Sequence, residues 1–400
     1  MLRAVAILSI TQILAWATMF MAVSVLGDAI AVDLGLTSAA VFLGPSVMLV
    51  AMAVASPATA SLYRRHDPRI VLIAGSLAAV PGFGLLAIAQ APAVHYAGWA
   101  VLGLAGAGAL TNAAHVYLSQ AFAAAARRAI GAQMLAMALA PTVSWPMTAF
   151  LQDALGWRAT YAAFGAVMLL VVVPLTCFGL PAVRPPAAGT GGEHARRGPE
   201  GRRSRLVMGL IVGAVALNGF ITWGFQLVVI ALFRDLSVPA GLAVGFASMI
   251  GVVQMSARLI DFLGGNRWDG LTTGLVAGCL MPLSLLVLLM GAGAPWSIVA
   301  FLLLYGLSSG ALAVSRATLP LVFFQGADYA RLIARAGLPL NLAFAAAPPF
   351  FGFAIDGWGS RAALLVALAL SIGTLACLAA LNGFRPQADK DCIDREPRAP

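Results

Sequence analysis

Charge is what this chain has least of. Only 10% of its 400 residues are Asp, Glu, Lys or Arg, while 61% are hydrophobic; a soluble domain carries about 25% charged residues. That balance excludes a water-soluble globular protein. Lysine is nearly missing as well: Lys390 is the single one, and arginine supplies the rest of the 24 basic residues. Cysteine is scarce and unpaired in spacing. Cys177, Cys279 and Cys377 fall inside apolar runs and Cys392 lies near the end, so neither a disulfide frame nor a zinc site is indicated. Also missing are a paired-carboxylate or Ser/His constellation and a phosphate-cradling glycine loop with its lysine. An enzyme is therefore not expected, and no cofactor or metal is implied. The net charge of +9 would point to nucleic acid in a soluble protein. Here the basic residues sit in short loops between apolar runs, as membrane topology dictates, so nucleic acid is set aside and the lipid bilayer is the expected partner.

What is present is a succession of apolar runs. A helix needs about 20 such residues to cross the hydrocarbon, and twelve runs of that order occur, near 5–31, 40–62, 70–90, 96–122, 130–151, 159–181, 207–232, 242–263, 271–291, 297–323, 336–355 and 362–382. They are continuously apolar and lack the alternation of barrel strands, which makes them helices. The first is too long for the core of a signal peptide and is read as a retained helix. The Pro/Gly/Arg-rich stretch 183–205 is the one substantial linker. This divides the chain into a six-helix half over 1–182, the linker, a second six-helix half over 206–382 and a short charged tail over 383–400.

Twelve crossings make a statement that the arginines can contradict. With both termini in the cytoplasm, nineteen of the 24 basic residues fall on the cytoplasmic side. Only Arg158, Arg234 and Arg361 fall outside, and Arg258 and Arg316 lie within helices. A missed or spurious helix would swap the side of every later loop and spoil this bias.

The halves also resemble each other. A gapless offset of 203 residues places Gly103-Leu104 on Gly306-Leu307, Arg128 on Arg331 and Pro146 on Pro349. It places the turn Asp153-x-x-Gly156-x-Arg158-Ala159 on Asp356-x-x-Gly359-x-Arg361-Ala362. Both turns join helices of the same orientation, so the repeat is parallel, about an axis along the membrane normal.

Between the second and third runs, Ala60-Ser61-Leu62-Tyr63-Arg64-Arg65-His66-Asp67-Pro68-Arg69 resembles the major facilitator signature G-x-L-x-D-R-x-G-x-R. It departs at Ala60 for the first glycine, Arg64 for the aspartate and Asp67 for the second glycine. The second copy, Ala257-Arg258-Leu259-Ile260-Asp261, keeps the aspartate. The segments Gly156-Trp157-Arg158-Ala159-Thr160-Tyr161, Gln254-x-x-x-Arg258-Leu259 and Arg316-Ala317-Thr318-Leu319-Pro320 are similar to a bacterial branch of permeases loosely related to monocarboxylate carriers. The resemblance covers nearly the whole chain up to the tail. It implies an all-α membrane protein of twelve helices in the bacterial inner membrane, working as a secondary transporter of a small-molecule substrate. It also implies a cavity surrounded by the first, fourth, seventh and tenth helices, and a gate at Arg64, Arg65, Asp67, Arg69 and Asp261. A monomer is expected.

Polar groups placed inside hydrocarbon are the candidates for chemistry. A guanidinium at mid-helix costs about 2.5–3.5 kcal/mol on insertion scales and faces a cavity or a partner. Arg316 lies seven residues from the end of its run, roughly 10 Å deep, beyond easy snorkelling. Arg258 shares one helix face with Gln254 and Asp261 at positions i, i−4 and i+3. Arginine forks bind carboxylates and oxyanions bidentately, so an organic or inorganic anion is the expected substrate. The competing account pairs Arg258 with Asp261 as a structural pin and lets Arg316 bond carbonyls freed in a proline-broken helix. Gln12 and Trp16 in the first run, Asn112 in the fourth, Gln226 in the seventh and Asn341 in the eleventh are further candidates for the path. Such amides also serve simply to bond packed helices. His115, read as the one mid-membrane histidine, and Asp28 are the candidates for a proton relay.

Two other functions compete. A proton-coupled exporter of hydrophobic compounds would commonly carry G-x-x-x-G-P-x-x-G in the fifth helix, where this chain has Ala136-x-x-x-Ala140-Pro141-x-x-Ser144. A transporter-like sensor would commonly carry an added soluble domain, and the tail is short.

Overall fold

The computed structural model describes residues 1–122, 125–183, 202–264, 267–324 and 326–385, with the backbone alone at 60, 64, 127, 202, 321 and 326–338. Among these residues every regular element is helical. We number the helices α1 (Leu2–Leu34), α2 (Ser38–Arg65), α3 (Pro68–Ala87), α4 (Pro92–Ala121), α5 (126–155), α6 (157–179), α7 (Arg202–Asp235), α8 (Ala240–Gly264), α9 (Gly270–Gly291), α10 (Pro295–Phe323), α11 (326–358) and α12 (360–382).

Local chemistry explains the starts and stops. Thr37 caps α2 through Ala40 N–H, Asp67 caps α3 through Arg69 N–H, and Asp269 caps α9 through Thr272 N–H, each meeting a donor the first turn leaves unbonded. Proline opens α3, α4 and α10, where its missing N–H costs nothing. Ten uninterrupted stretches are long and apolar enough to cross a membrane, two of them 52 and 44 residues long. Fifty-two residues of helix would span about 78 Å against a hydrocarbon core of about 30 Å. Both long stretches are broken by a glycine: Gly156 at φ 76°, ψ 166° and Gly359 at φ 79°, ψ 166°, a region essentially closed to other residues. Dividing the chain at these breaks yields the twelve segments.

Contacts show that the segments alternate in direction. At the end bearing the described termini, Arg3 reaches Phe178 O, Arg69 reaches Leu180 O and Arg385 pairs with Asp269. At the opposite, far end, Arg158, just past the Gly156 break, pairs with Asp33 at 2.5 Å and donates to Ala89 O. Ser360 N–H, just past the Gly359 break, donates to Asp235. Both breaks therefore sit at the far end, two residues and one residue away from contacts with the ends of neighbouring helices.

The halves share their internal packing. In the first, α4 packs on α2 and α3; in the second, α10 packs on α8 and α9. Gly103 of α4 sits against the Met48 backbone of α2, and Gly306 of α10 against Val253 of α8; a side chain at either glycine would force these helices apart. Between halves, α2 meets α11, α5 meets α8 and α1 meets α7. Hydroxyls stitch the first two seams: Ser46 donates to Ala345 O, and Thr142 donates to Ser248 O at 2.6 Å. The segments 184–201 and 386–400, which hold most of the linker and tail, lie outside the described residues.

Candidate functional site between the halves

A cavity of about 200 Å³ lies where the halves face each other, lined from α1, α4, α5, α7, α8 and α10. Among its described lining residues are Arg258 and Arg316, and no Asp or Glu. Arg258 donates through Nη1 to Met134 O across the α5–α8 seam at 2.7 Å, while its Nε is buried without a partner. Arg316 has its guanidinium 5.8 Å from the centre of the Phe344 ring, and among the described residues it has no hydrogen bond or acidic partner. Gln254, one turn before Arg258 on α8, donates to Ser309 Oγ at 3.0 Å. The cost of two guanidiniums this deep is met by an aromatic face, a carbonyl and the open cavity.

Another part of the lining is aromatic. Trp16 and Phe20 of α1 meet Trp223 of α7, with ring centroids 5.8 and 5.3 Å from Trp223, and Trp223 stacks on Phe344 at 5.8 Å. Phe20 lies within a π-helical turn at Ala17–Met21 and Trp16 immediately precedes it; bulges of this kind accumulate at functional sites.

Gln12 does not reach the cavity. Helix α4 is interrupted at Leu110, whose backbone is extended, and Gln12 Nε2 donates to the freed carbonyl of Ala109 at 2.6 Å. Trp16 donates its indole N–H to Thr111 Oγ1 at 2.7 Å beside the same break, yet it still lines the cavity. Gln226 also lines it, with only a sulfur, Met21 Sδ at 3.9 Å, near its amide. Asn341 and Asn112 are exposed and lie off the cavity. Four small polar lining residues that the sequence reading passed over are Thr111, Asn218, Thr222 and Ser309.

The expected face of Gln254, Arg258 and Asp261 divides. A step of three residues turns about 60° back around the helix, enough to send Arg258 toward α5 and Asp261 toward α9. Asp261 accepts from Thr273 Oγ1 at 2.7 Å and from Trp268 Nε1 at 3.2 Å, so it is bonded within the second half and not to Arg258. It borders a separate cavity of about 380 Å³ between α8, α9 and α10, apolar except at that end. This larger space lies away from the seam between the halves.

At the signature between α2 and α3, the Arg64 side chain lies outside the described residues and Arg65 is exposed. Asp67 and Arg69 bind within the first half: Asp67 accepts from Arg69 N–H and Val183 N–H, and Arg69 donates to Leu180 O at 3.0 Å. They join the start of α3 to the end of α6. His115 bonds Gln133 Oε1 at 3.0 Å between α4 and α5. Helix α4 starts at Pro92 and also encloses His95, three residues from that end, fully buried and accepting from Trp99 Nε1. Asp28 is no isolated carboxylate. It forms an ion pair with Arg234 of α7, the one such pair between the halves among the described residues.

The family model of the Major Facilitator Superfamily matches residues 8–304, and the chain belongs to that superfamily. It is thus a multi-pass membrane transporter and not an enzyme. A relative of the full length, an uncharacterized 38 kDa protein in the 23S RNA operon of Thermoproteus tenax, is 27% identical over 366 residues, 90% of each chain. Two solved structures share the fold. One is a bacterial homolog of the human lysosomal transporter Spinster, inward-facing and unoccupied, with TM-score 0.68, 12% identity and 95% of both chains covered. The other is a variant of the peptide transporter POT, with TM-score 0.75, 13% identity and 95% and 94% covered.

Proposed function

We propose that this transporter carries a small anion by alternating access, with Arg316 as the principal electrostatic partner of the substrate and Arg258 assisting. The observation that supports this reading is the pair of guanidiniums on one cavity whose described lining has no carboxylate. An arriving anion supplies the missing charge; its departure leaves the arginines to the water of the open vestibule. A second reading, export of a hydrophobic compound, draws on the aromatic wall of Trp16, Phe20 and Trp223.

The test is uptake and efflux in reconstituted vesicles with a panel of small anions at several imposed proton gradients. Arg316→Ala is expected to abolish anion transport. Arg316→Lys keeps the charge but loses the fork, and should reduce transport by about ten- to a hundredfold, the worth of one charged hydrogen bond. Unchanged transport in both variants would overturn the anion reading in favour of a neutral or cationic substrate.

In this proposal both termini and the segment 183–205 face the cytoplasm of a bacterial inner membrane, as the arginine distribution demands. Reporter fusions at Gly192 and at the tail check it, and an outside signal at either position would reverse the topology. His115 is the candidate for proton coupling, since Asp28 is engaged by Arg234.

A further inference from the structure

We infer that the anion is a small aromatic acid carrying an uncharged hydrogen-bond donor beside its carboxylate, and that Asn218 is the residue reading that donor. This rests on the anion reading above and narrows it. Asn218 of α7 is 5% exposed and lines the cavity, and its Oδ1 has no hydrogen-bond partner among the described residues. A buried acceptor left unmet is costly, so a ligand that supplies a donor there gains selectively.

Asn218 and Arg316 also border one small adjoining cleft, together with Ser315 and Thr374. The unmet acceptor and the guanidinium are therefore neighbours, which sets the donor of the ligand next to its carboxylate. Trp223 lies five residues further along α7, about 7.5 Å toward the far end, and with Trp16 it offers an aromatic surface at that distance. A cavity of about 150 Å³ holds a benzene ring; about 200 Å³ takes one ring with a short acid chain and no second ring. The donor is a hydroxyl and not an ammonium, because a cationic group would face two guanidiniums with no acidic residue among the described lining to offset them. A 2-hydroxy acid with a terminal ring satisfies all four requirements. An inorganic anion would leave Asn218 unmet and the aromatic wall unused.

The full-length protein in lipid nanodiscs is titrated with 3-phenyllactate, 3-phenylpropionate, phenylalanine, lactate and sulfate, with binding read by calorimetry. 3-Phenyllactate is expected to bind about tenfold more tightly than 3-phenylpropionate, the value of one neutral hydrogen bond, and more tightly than the other three. Asn218→Leu should erase that preference, weakening 3-phenyllactate about tenfold more than 3-phenylpropionate. Asn218→Ala serves the same purpose should the leucine variant fail to fold. If either variant weakens all acids alike, Asn218 is a packing residue and the assignment falls. If sulfate or lactate binds as tightly as 3-phenyllactate and still requires Arg316, this inference fails and the anion reading stands. If none of the five binds, this inference fails and the anion reading is decided by the Arg316 variants.

Discussion

The two halves have one scaffold and different chemistry. Under the offset of 203 residues their helix breaks coincide at Gly156 and Gly359, with nearly the same dihedral angles, and the close-approach glycines Gly103 and Gly306 correspond. Phe20 and Trp223 correspond as well, and meet edge to face at 5.3 Å. At the positions of Arg258 and Arg316, however, the first half has Ala55 and Ala113. Among the described lining residues all the charge of the central cavity thus comes from the second half, while the first contributes two rings, three methionines and Thr111. A duplicated scaffold can be kept for its packing while the site diverges, because the glycines at which the helices interlock are not the positions that differ.

The comparison breaks most sharply if charge is moved across it. Ala113 is fully buried among α1, α3 and α4, so Ala113→Arg places an unpaired guanidinium in a packed seam and should cost about 3–5 kcal/mol or more. Arg316→Ala, the corresponding change in reverse, should leave the folded protein as stable or more so. Thermal unfolding in detergent compares the two; an Ala113→Arg variant that melts like the parent would show that the halves differ less than their sequences suggest.

Next in size are the two glycine breaks. Gly156→Ala and Gly359→Ala each force a side chain into the region that glycine alone tolerates, at about 1–3 kcal/mol. The losses should be alike, since the dihedral angles are. A loss at only one of them would mean that the repeat is not preserved in energy as it is in shape.

A smaller effect belongs to Asp28 and Arg234, which join the halves at the far end with side chains 62% and 30% exposed. Pairs this solvated contribute about 0.2–1 kcal/mol, so Asp28→Asn should move the balance of cavity openings by no more than about fivefold. The swap Asp28→Arg with Arg234→Asp should restore it. Labelling of a cysteine placed in the cavity, from each side of the membrane, measures the balance; unchanged labelling in Asp28→Asn would remove the pair from any latch.

No larger is the contribution of the pair of Asp269 with Arg385 at the end bearing the termini. Burial pushes the Asp269 carboxyl up, but hydrogen bonds from Arg385 and Thr272 outweigh it and hold the group below its ordinary value. A carboxylate depressed in the folded state stabilises above its unfolded pKa and loses that contribution as pH falls through the folded one. Arg385→Ala should cost at most about 1 kcal/mol at neutral pH, and the melting curves of variant and parent should converge in acid. A gap that persists in acid would assign the loss to packing.

Most of the helix pattern was legible because it is written in apolar runs, and both glycine breaks lay in a turn that recurs at the offset. What could not be read were pairings between distant segments. An amide such as Gln12 looks the same whether it faces a substrate or a carbonyl, and the carbonyl it serves exists only because α4 is interrupted at Leu110. Asn218 and Thr222 sit in an otherwise apolar run, where one small polar group produces no periodic signal. Asp28 and Arg234 lie 206 residues apart, each in reach of plainer explanations. His95 was missed for a local reason, namely that the start of α4 was placed past the proline that opens it.

The π-turn in α1 has a consequence for how that helix can be altered. Such a turn holds one residue more than α-helical winding would, so deleting any one residue of Ala17–Met21 would let the helix close regularly. The wider turn has already absorbed that residue, so the segments on either side would keep their phase, and with it the bonds of Gln12 and Trp16 to α4 and the contact of Asp28 to Arg234. What would change is the turn itself, which carries Phe20 on the cavity. Shortening it by one codon would give a more regular helix and a displaced ring.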